Sequence, residues 1–170
     1  MVYHMIHSCA YHSLRFLALV KRALYEEHMQ IGLTFDEMAA MKPKDLRSVI
    51  RRGEIGASNL LFSRGYAQAN LAIVPREFAF DFLLYCVRNP RPCPLLEVLE
   101  PGSPHPTKLA SEADIRTDIV QYRMFKDGVL VDEPSNIVSY WRDDLVSFLL
   151  GCSDSFDWSL RAANIRVHLF

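Results

Sequence analysis

From Gln68 to Leu99 the sequence passes from strand to helix and back to strand with prolines at the changes, and this order constrains the fold more than any other feature. Gln68 to Val74 is a mostly apolar run of strand length, which predicts a buried strand. Pro75 suits the opening of a helix, because the N–H it lacks would have no intrahelical partner there. Phe78, Ala79, Phe82, Leu83, Tyr85 and Cys86 follow and cover much of the helical circumference, so this helix is expected to lie sandwiched within the core. Asn89-Pro90, with Pro92 and Pro94 close behind, stops it, and Leu95 to Leu99 makes a second short strand.

The flanking sequence fits the same class. Asp127-Gly128, between Tyr122–Phe125 and Val129–Val131, is a type I′ hairpin signal. Pro43 opens a helix running to Arg52 with Leu46, Val49 and Ile50 facing inward, and Gly53 closes it. Ser135 can cap a short helix through Trp141. Asp143 to Leu150 reads as a further helix, with acids at its positive end and Gly151 as its stop. A last helix spans Asp154 to Ala163 with Asn164 as cap, and a strand starts at Ile165. Leu14 to Tyr25 marks an amphipathic helix within residues 1–40, a helical extension unlike the rest, while 41–170 reads as one domain. The expected fold class is α/β, a mixed sheet with flanking helices and an antiparallel hairpin. The closing strand ought to lead further, as in an incomplete version of a larger two-lobed fold.

Composition narrows the function. Half of the 170 residues are hydrophobic and 11% are aromatic, enough for a packed core. The net charge is -1 with acids and bases interspersed, which argues against nucleic acid as a partner. Arg47, Arg51 and Arg52 are the densest basic group and read as a solvated helix face. No apolar run approaches the ~20 residues of a membrane span, and no small-residue cleavage pattern follows Leu14–Val20, so a cytoplasmic location is expected. Cys9, Cys86, Cys93 and Cys152 are widely spaced without a CxxC pair, as reduced thiols would be. His4, His7, Cys9 and His12 match no zinc spacing, and neither a metal nor an organic cofactor is expected.

Three segments can carry chemistry. Gly151 to Asp157 joins the end of one predicted helix to the start of another, where backbone N–H groups and hydroxyls offer an oxyanion site and Cys152 a reactive thiol. Ordinary capping by Ser153, Asp154 and Asp157 accounts for the same residues, and by spacing alone is the weightier reading. Asp114, Arg116 and Asp118 fall on one side of an expected extended stretch, so Arg116 can hold a carboxylate with an acid nearby for an amine; a structural ion pair is the alternative. Gln68 and Asn70 share a strand face and offer amides to a ligand or to neighbouring loops.

Five motifs in order resemble the D-glutamate cyclase family, whose bacterial members are named hydro-lyases. They are Gly65-Tyr66-Ala67-Gln68-Ala69-Asn70-Leu71, Arg88-Asn89-Pro90-Arg91-Pro92-Cys93-Pro94-Leu95-Leu96, Asp114-Ile115-Arg116-Thr117-Asp118, Trp141-Arg142-Asp143-Asp144-Leu145-Val146 and Gly151-Cys152-Ser153. The resemblance runs from Leu46 to His168 and implies cyclisation of D-glutamate to 5-oxo-D-proline with loss of water. Such a reaction needs a general base, a general acid, an oxyanion stabiliser and a clamp for the α-carboxylate. On this reading Arg116 is the clamp, with Gln68, Asn70 and Ser155 as further substrate contacts. The turn at Cys152 and Ser153 receives the oxyanion, and Asp118, Asp157 or Cys152 moves protons. The implied partner is a small amino-dicarboxylate, and a homo-oligomer stays open. The sequence departs from the family's pattern in Ala57-Ser58-Asn59-Leu60-Leu61, which replaces a Gly-Pro-Thr-Ala-Gly-like loop, in Asp154, which replaces an aromatic residue, and in lacking the glycine-rich later half. A catalytically silent homologue serving as a binding or oligomerisation module is the rival expectation.

Overall fold

Two three-stranded antiparallel sheets and four α-helices make up the described residues, 3–5, 33–55 and 62–165, of a computed structural model. In chain order the elements begin β1 (Tyr3–Met5), α1 (Phe35–Ala40), α2 (Pro43–Arg51), β2 (Ala69–Pro75) and α3 (Arg76–Arg88). They continue β3 (Leu95–Val98), β4 (Met124–Lys126), β5 (Val129–Asp132), β6 (Leu145–Gly151) and α4 (Asp154–Ala162). This is the α/β class expected, with helices flanking the sheets. The helix read over Leu14–Tyr25, the loop 57–61, the side chains of His4, His7, Cys9 and His12, and the strand beyond Ile165 lie outside the described residues.

One sheet has the order β2-β6-β3, so the segment read as a helix over Asp143–Leu150 is instead its central strand. Leu145 and Leu149 join Leu71 and Ile73 in one buried cluster, while Val146 and Phe148 join Ala72 and Val74 in another. A strand covered on both faces is a continuous apolar run, and a run this short carries no period that separates strand from helix. The Gly151–Ser153 turn therefore leads from a strand into α4.

Pro75 ends β2 and caps α3, as its missing N–H allows. Phe78, Ala79, Phe82 and Leu83 pack on the Val74 and Phe148 face of the sheet, with the Phe82 and Phe148 rings edge-on at 4.9 Å. The opposite face is open: Phe80, Tyr85 and Val87 are exposed. The helix is thus covered on one side and not sandwiched, because its apolar residues outnumber the positions that a single sheet can cover.

The second sheet has the order β1-β4-β5. Asp127 and Gly128 have φ of 51° and 80°, the two left-handed residues of a type I′ turn, so the expected hairpin forms. Met124 of this hairpin, with Ile115, Tyr122 and Ile137 from its flanks, packs on Leu71, Ile73, Leu145 and Leu149. The short helix read from Ser135 shrinks to a single 3-10 turn, Val138–Tyr140.

A helical pair completes the fold. Thr34 and Glu37 form a reciprocal capping box that starts α1, and Pro43 lies in the first turn of α2. Met38 from α1 joins Leu46, Val49 and Ile50 from α2, with Phe62 and Val120, in a third buried cluster. Residues 33–40 therefore pack into the same body as α2.

Candidate functional site

Between this helical pair and the β2-β6-β3 sheet lies a cavity of about 520 Å³, a volume suited to a small-molecule ligand. One wall is α2, through Leu46, Arg47 and Ile50; another is the chain from Phe62 to Leu71; the third is the proline-rich loop and its sequel, from Pro106 to Ile119. Most of the lining is apolar. The polar residues include Arg47, Ser63, Gln68, Asn70, Asp118 and Cys152.

Four of the side chains singled out from sequence thus meet at one cavity: Gln68, Asn70, Asp118 and Cys152. They come from segments far apart in the chain. Gln68 sits at the start of β2, where its side-chain amide donates to the Phe62 carbonyl at 3.3 Å. The Cys152 amide donates to the Gln68 carbonyl at 3.2 Å and is thereby engaged within the protein. Cys152 itself is buried and is not part of a disulfide.

Ser155 lies beside this group rather than in the lining. Its Oγ accepts from the Gln68 N–H at 2.8 Å and donates to the Gln68 carbonyl at 3.3 Å, so α4 fixes the entry of β2. Ser153 is exposed and outside the lining. Asp157 belongs to α4, and its side chain lies outside the described atoms.

The segment Asp114–Asp118 is a closed turn, not the extended stretch expected. The amides of Thr117 and Asp118 donate to the Asp114 carbonyl at 3.1 and 3.0 Å, and the Asp114 amide donates to Asp118 Oδ2 at 2.9 Å. Aspartate carboxylates that capture nearby backbone N–H groups favour such turns over strands. The turn separates the three charges. Arg116 is outside the cavity lining; its Nε and Nη2 donate to Asp114 at 2.9 and 2.7 Å, and its guanidinium lies 6.0 Å from the Trp141 ring centre. Burial pushes the Asp114 carboxyl up, but the Arg116 hydrogen bonds outweigh it and hold the group below the usual aspartate range.

Asp118 faces the other way. It accepts from both Nε and Nη2 of Arg51, the latter at 2.7 Å, and lies 3.5 Å from Arg47 Nε. Arg47 is therefore not on a solvated face: its side chain is only 18% exposed, and it lines the cavity. Helical spacing placed Arg47 and Arg51 one turn apart but could not disclose Asp118, which arrives from a distant loop.

Ser63 is the second lining residue that sequence reading missed. It takes a left-handed φ of 49°, a conformation that costs a residue bearing a Cβ about 1–2 kcal/mol. The Ser63 and Arg64 amides donate to the Met38 and Ala39 carbonyls at 3.2 and 2.7 Å, satisfying the C-terminal end of α1 and holding the strained residue in place. Its Oγ is buried without a hydrogen-bond partner. No composition or motif signal marks such a position.

The loop wall is fastened by Glu97, which is buried in β3. Its carboxylate accepts from the backbone N–H groups of Thr107, Lys108 and Leu109 at 2.6, 3.0 and 3.0 Å and from the Thr107 hydroxyl at 3.1 Å. Burial pushes the Glu97 carboxyl up, but these donors outweigh it and hold the group below the ordinary range. Among the described residues no cluster of three metal-ligating side chains occurs, and no helix is long and apolar enough to cross a membrane.

No family model matches the chain. Curated bacterial proteins do. The chain is 52% identical over 127 residues to "Putative hydro-lyase YcsI" of Bacillus subtilis (strain 168), covering 75% of this chain and 49% of that protein. It is 53% identical over 130 residues to "Putative hydro-lyase" of Rubrobacter xylanophilus, covering 76% and 50%. It is 47% identical over 137 residues to "Putative hydro-lyase SCO1412" of Streptomyces coelicolor, covering 81% and 49%. The chain spans about half the length of the curated relatives it matches.

Proposed function

Over three-quarters of its length the chain belongs to the hydro-lyase family of these bacterial proteins, and from that premise we propose that its cavity serves a lyase acting on a small amino-dicarboxylate, D-glutamate, which is cyclised to 5-oxo-D-proline. The observation that carries this reading is the meeting of Gln68, Asn70, Asp118 and Cys152 at one cavity of ligand size. These residues come from three of the five motifs that carry the resemblance, and the fold brings them to one place.

In the proposed reaction the neutral α-amine attacks the γ-carboxyl carbon. A nitrogen–carbon bond forms, a carbon–oxygen bond breaks, the amine gives up one proton, and the departing hydroxyl takes up a proton and leaves as water. Asp118 is suited to the amine, since it is a buried carboxylate on the cavity wall. Cys152 and the amides of Gln68 and Asn70 supply hydrogen-bonding groups of no net charge for the reacting carboxyl, whose hydroxyl must be protonated to depart. Arg116, bound to Asp114, acts in this reading through the shape of the turn that presents Asp118.

The test is to incubate the purified chain with D-glutamate and L-glutamate separately and follow 5-oxoproline by chromatography. Product from the D isomer alone is expected, abolished in Asp118→Asn and reduced in Arg116→Ala. A folded, monodisperse sample that turns over neither isomer would sink the enzyme reading for this polypeptide. The rival, a binding module that keeps the family's cavity without its chemistry, is favoured by one observation, the place of Arg116 outside the cavity in its pair with Asp114.

A further inference from the structure

We propose that Arg47 and Ser63 together form a carboxylate subsite in the cavity, so that a ligand is held through one carboxylate while its uncharged body lies against the apolar lining. The proposal deepens the reading above, because it rests on the same cavity, but it does not depend on the cyclisation.

Charge matching is the first support. Around α2 the bases outnumber the acids that pair with them. Lys44 pairs with Glu112 at 3.0 Å, and Arg116 pairs with Asp114 at 2.7 Å. Arg51 takes Asp118 with two donors of its guanidinium. Arg47 is the second base on that same carboxylate. Its Nε is buried and lies 3.5 Å from Asp118 without making a hydrogen bond. A cation held mostly out of water without full compensation favours an anion beside it. A guanidinium suits a planar carboxylate better than it suits a point charge.

The second support is independent of charge. Ser63 is 7% exposed, lines the same cavity, and carries a buried hydroxyl that has no partner within the protein. A buried polar atom is normally hydrogen-bonded, and one that is not, on a cavity wall and on a strained backbone, is the mark of a group that awaits a ligand. The hydroxyl can donate to a carboxylate oxygen while the guanidinium takes the rest. The remaining wall, with Leu46, Ile50, Leu71, Leu109, Ile115 and Leu149, suits a short aliphatic chain. For an amino-dicarboxylate this assigns the α-carboxylate to Arg47 and Ser63 and leaves the reacting carboxyl to the uncharged donors Gln68, Asn70 and Cys152.

The test uses pentanoate and butylamine as probes of matched size, titrated calorimetrically into the full chain. Pentanoate is expected to bind and butylamine not. Ser63→Ala should weaken pentanoate about tenfold, the loss of one hydrogen bond to a charged group. Arg47→Gln should abolish binding, and Arg47→Lys should restore part of it. Ser63→Gly guards against misfolding: it relieves the left-handed φ, so its Tm should not fall below wild type while its pentanoate affinity drops as in Ser63→Ala. Unchanged affinity in both Ser63 variants, equal binding of butylamine, or no pentanoate binding by the folded wild type would each overturn the subsite. Pentanoate binding without D-glutamate turnover would remove the cyclase reading and leave the subsite standing. Turnover with an unaltered KM in Ser63→Ala would do the reverse.

Discussion

Glu97 places a buried carboxylate where it can gather four donors from a loop that has no regular structure of its own. Its carboxyl is depressed in the folded chain, so the stability it contributes is complete above the ordinary glutamate range and is lost as pH falls through the folded value. Asp114 has the same sign. Stability is therefore expected to fall on acidification below roughly pH 4, where free carboxyls titrate. Glu97→Gln should be less stable at neutral pH and show a shallower loss on acidification, read from urea midpoints across a pH series; parallel wild-type and variant curves would refute this. Residues of this kind were only half legible in the sequence. Gln68, Asn70, Asp118 and Cys152 stood out because motifs carry them. Arg47 and Ser63 did not, since one depends on an acid from a remote turn and the other on a backbone angle and a missing partner.

At the level of elements, local signals served well wherever the cause was local. Asp127-Gly128 gave the hairpin because only the two backbone angles of the turn matter, and Pro75 gave the junction of β2 with α3 because proline acts on its own residue and its neighbours. β6 failed because its identity depends on strands that pair with it on both sides. The same dependence fixes Gly102, whose N–H donates to the Leu145 carbonyl at 2.8 Å and whose carbonyl accepts from Trp141 Nε1 at 3.0 Å. Gly102 has a φ of 75°, and a Cβ there would come 2.9 Å from the Asp143 Cα. Gly102→Ala combines left-handed strain with a backbone clash, so a loss of about 2 kcal/mol or more is expected. Chemical denaturation checks it, and a change under 0.5 kcal/mol, the ordinary range for a surface substitution, would show that the loop yields freely.

Across the whole molecule, the cavity exists because α2 and a loop are held apart from a sheet, and a buried tie between α2 and that loop is the group formed by Asp118, Arg47 and Arg51. The class of fold was legible from the strand–proline–helix order, whereas this tie was not, since nothing local links position 118 to α2. The tie also sets a tension between holding and yielding. A visiting carboxylate must court an arginine that Asp118 already attends, so the protein's own side chain is a resident competitor, tuning how firmly any guest is kept and how readily it departs. Asp118→Asn should then bind pentanoate more tightly than wild type while melting at a lower temperature, a trade between grip and robustness. Tighter binding with no loss of Tm would mean that the walls are joined by something else. Weaker binding would mean that Asp118 holds Arg47 in position for its guest and does not contend for it.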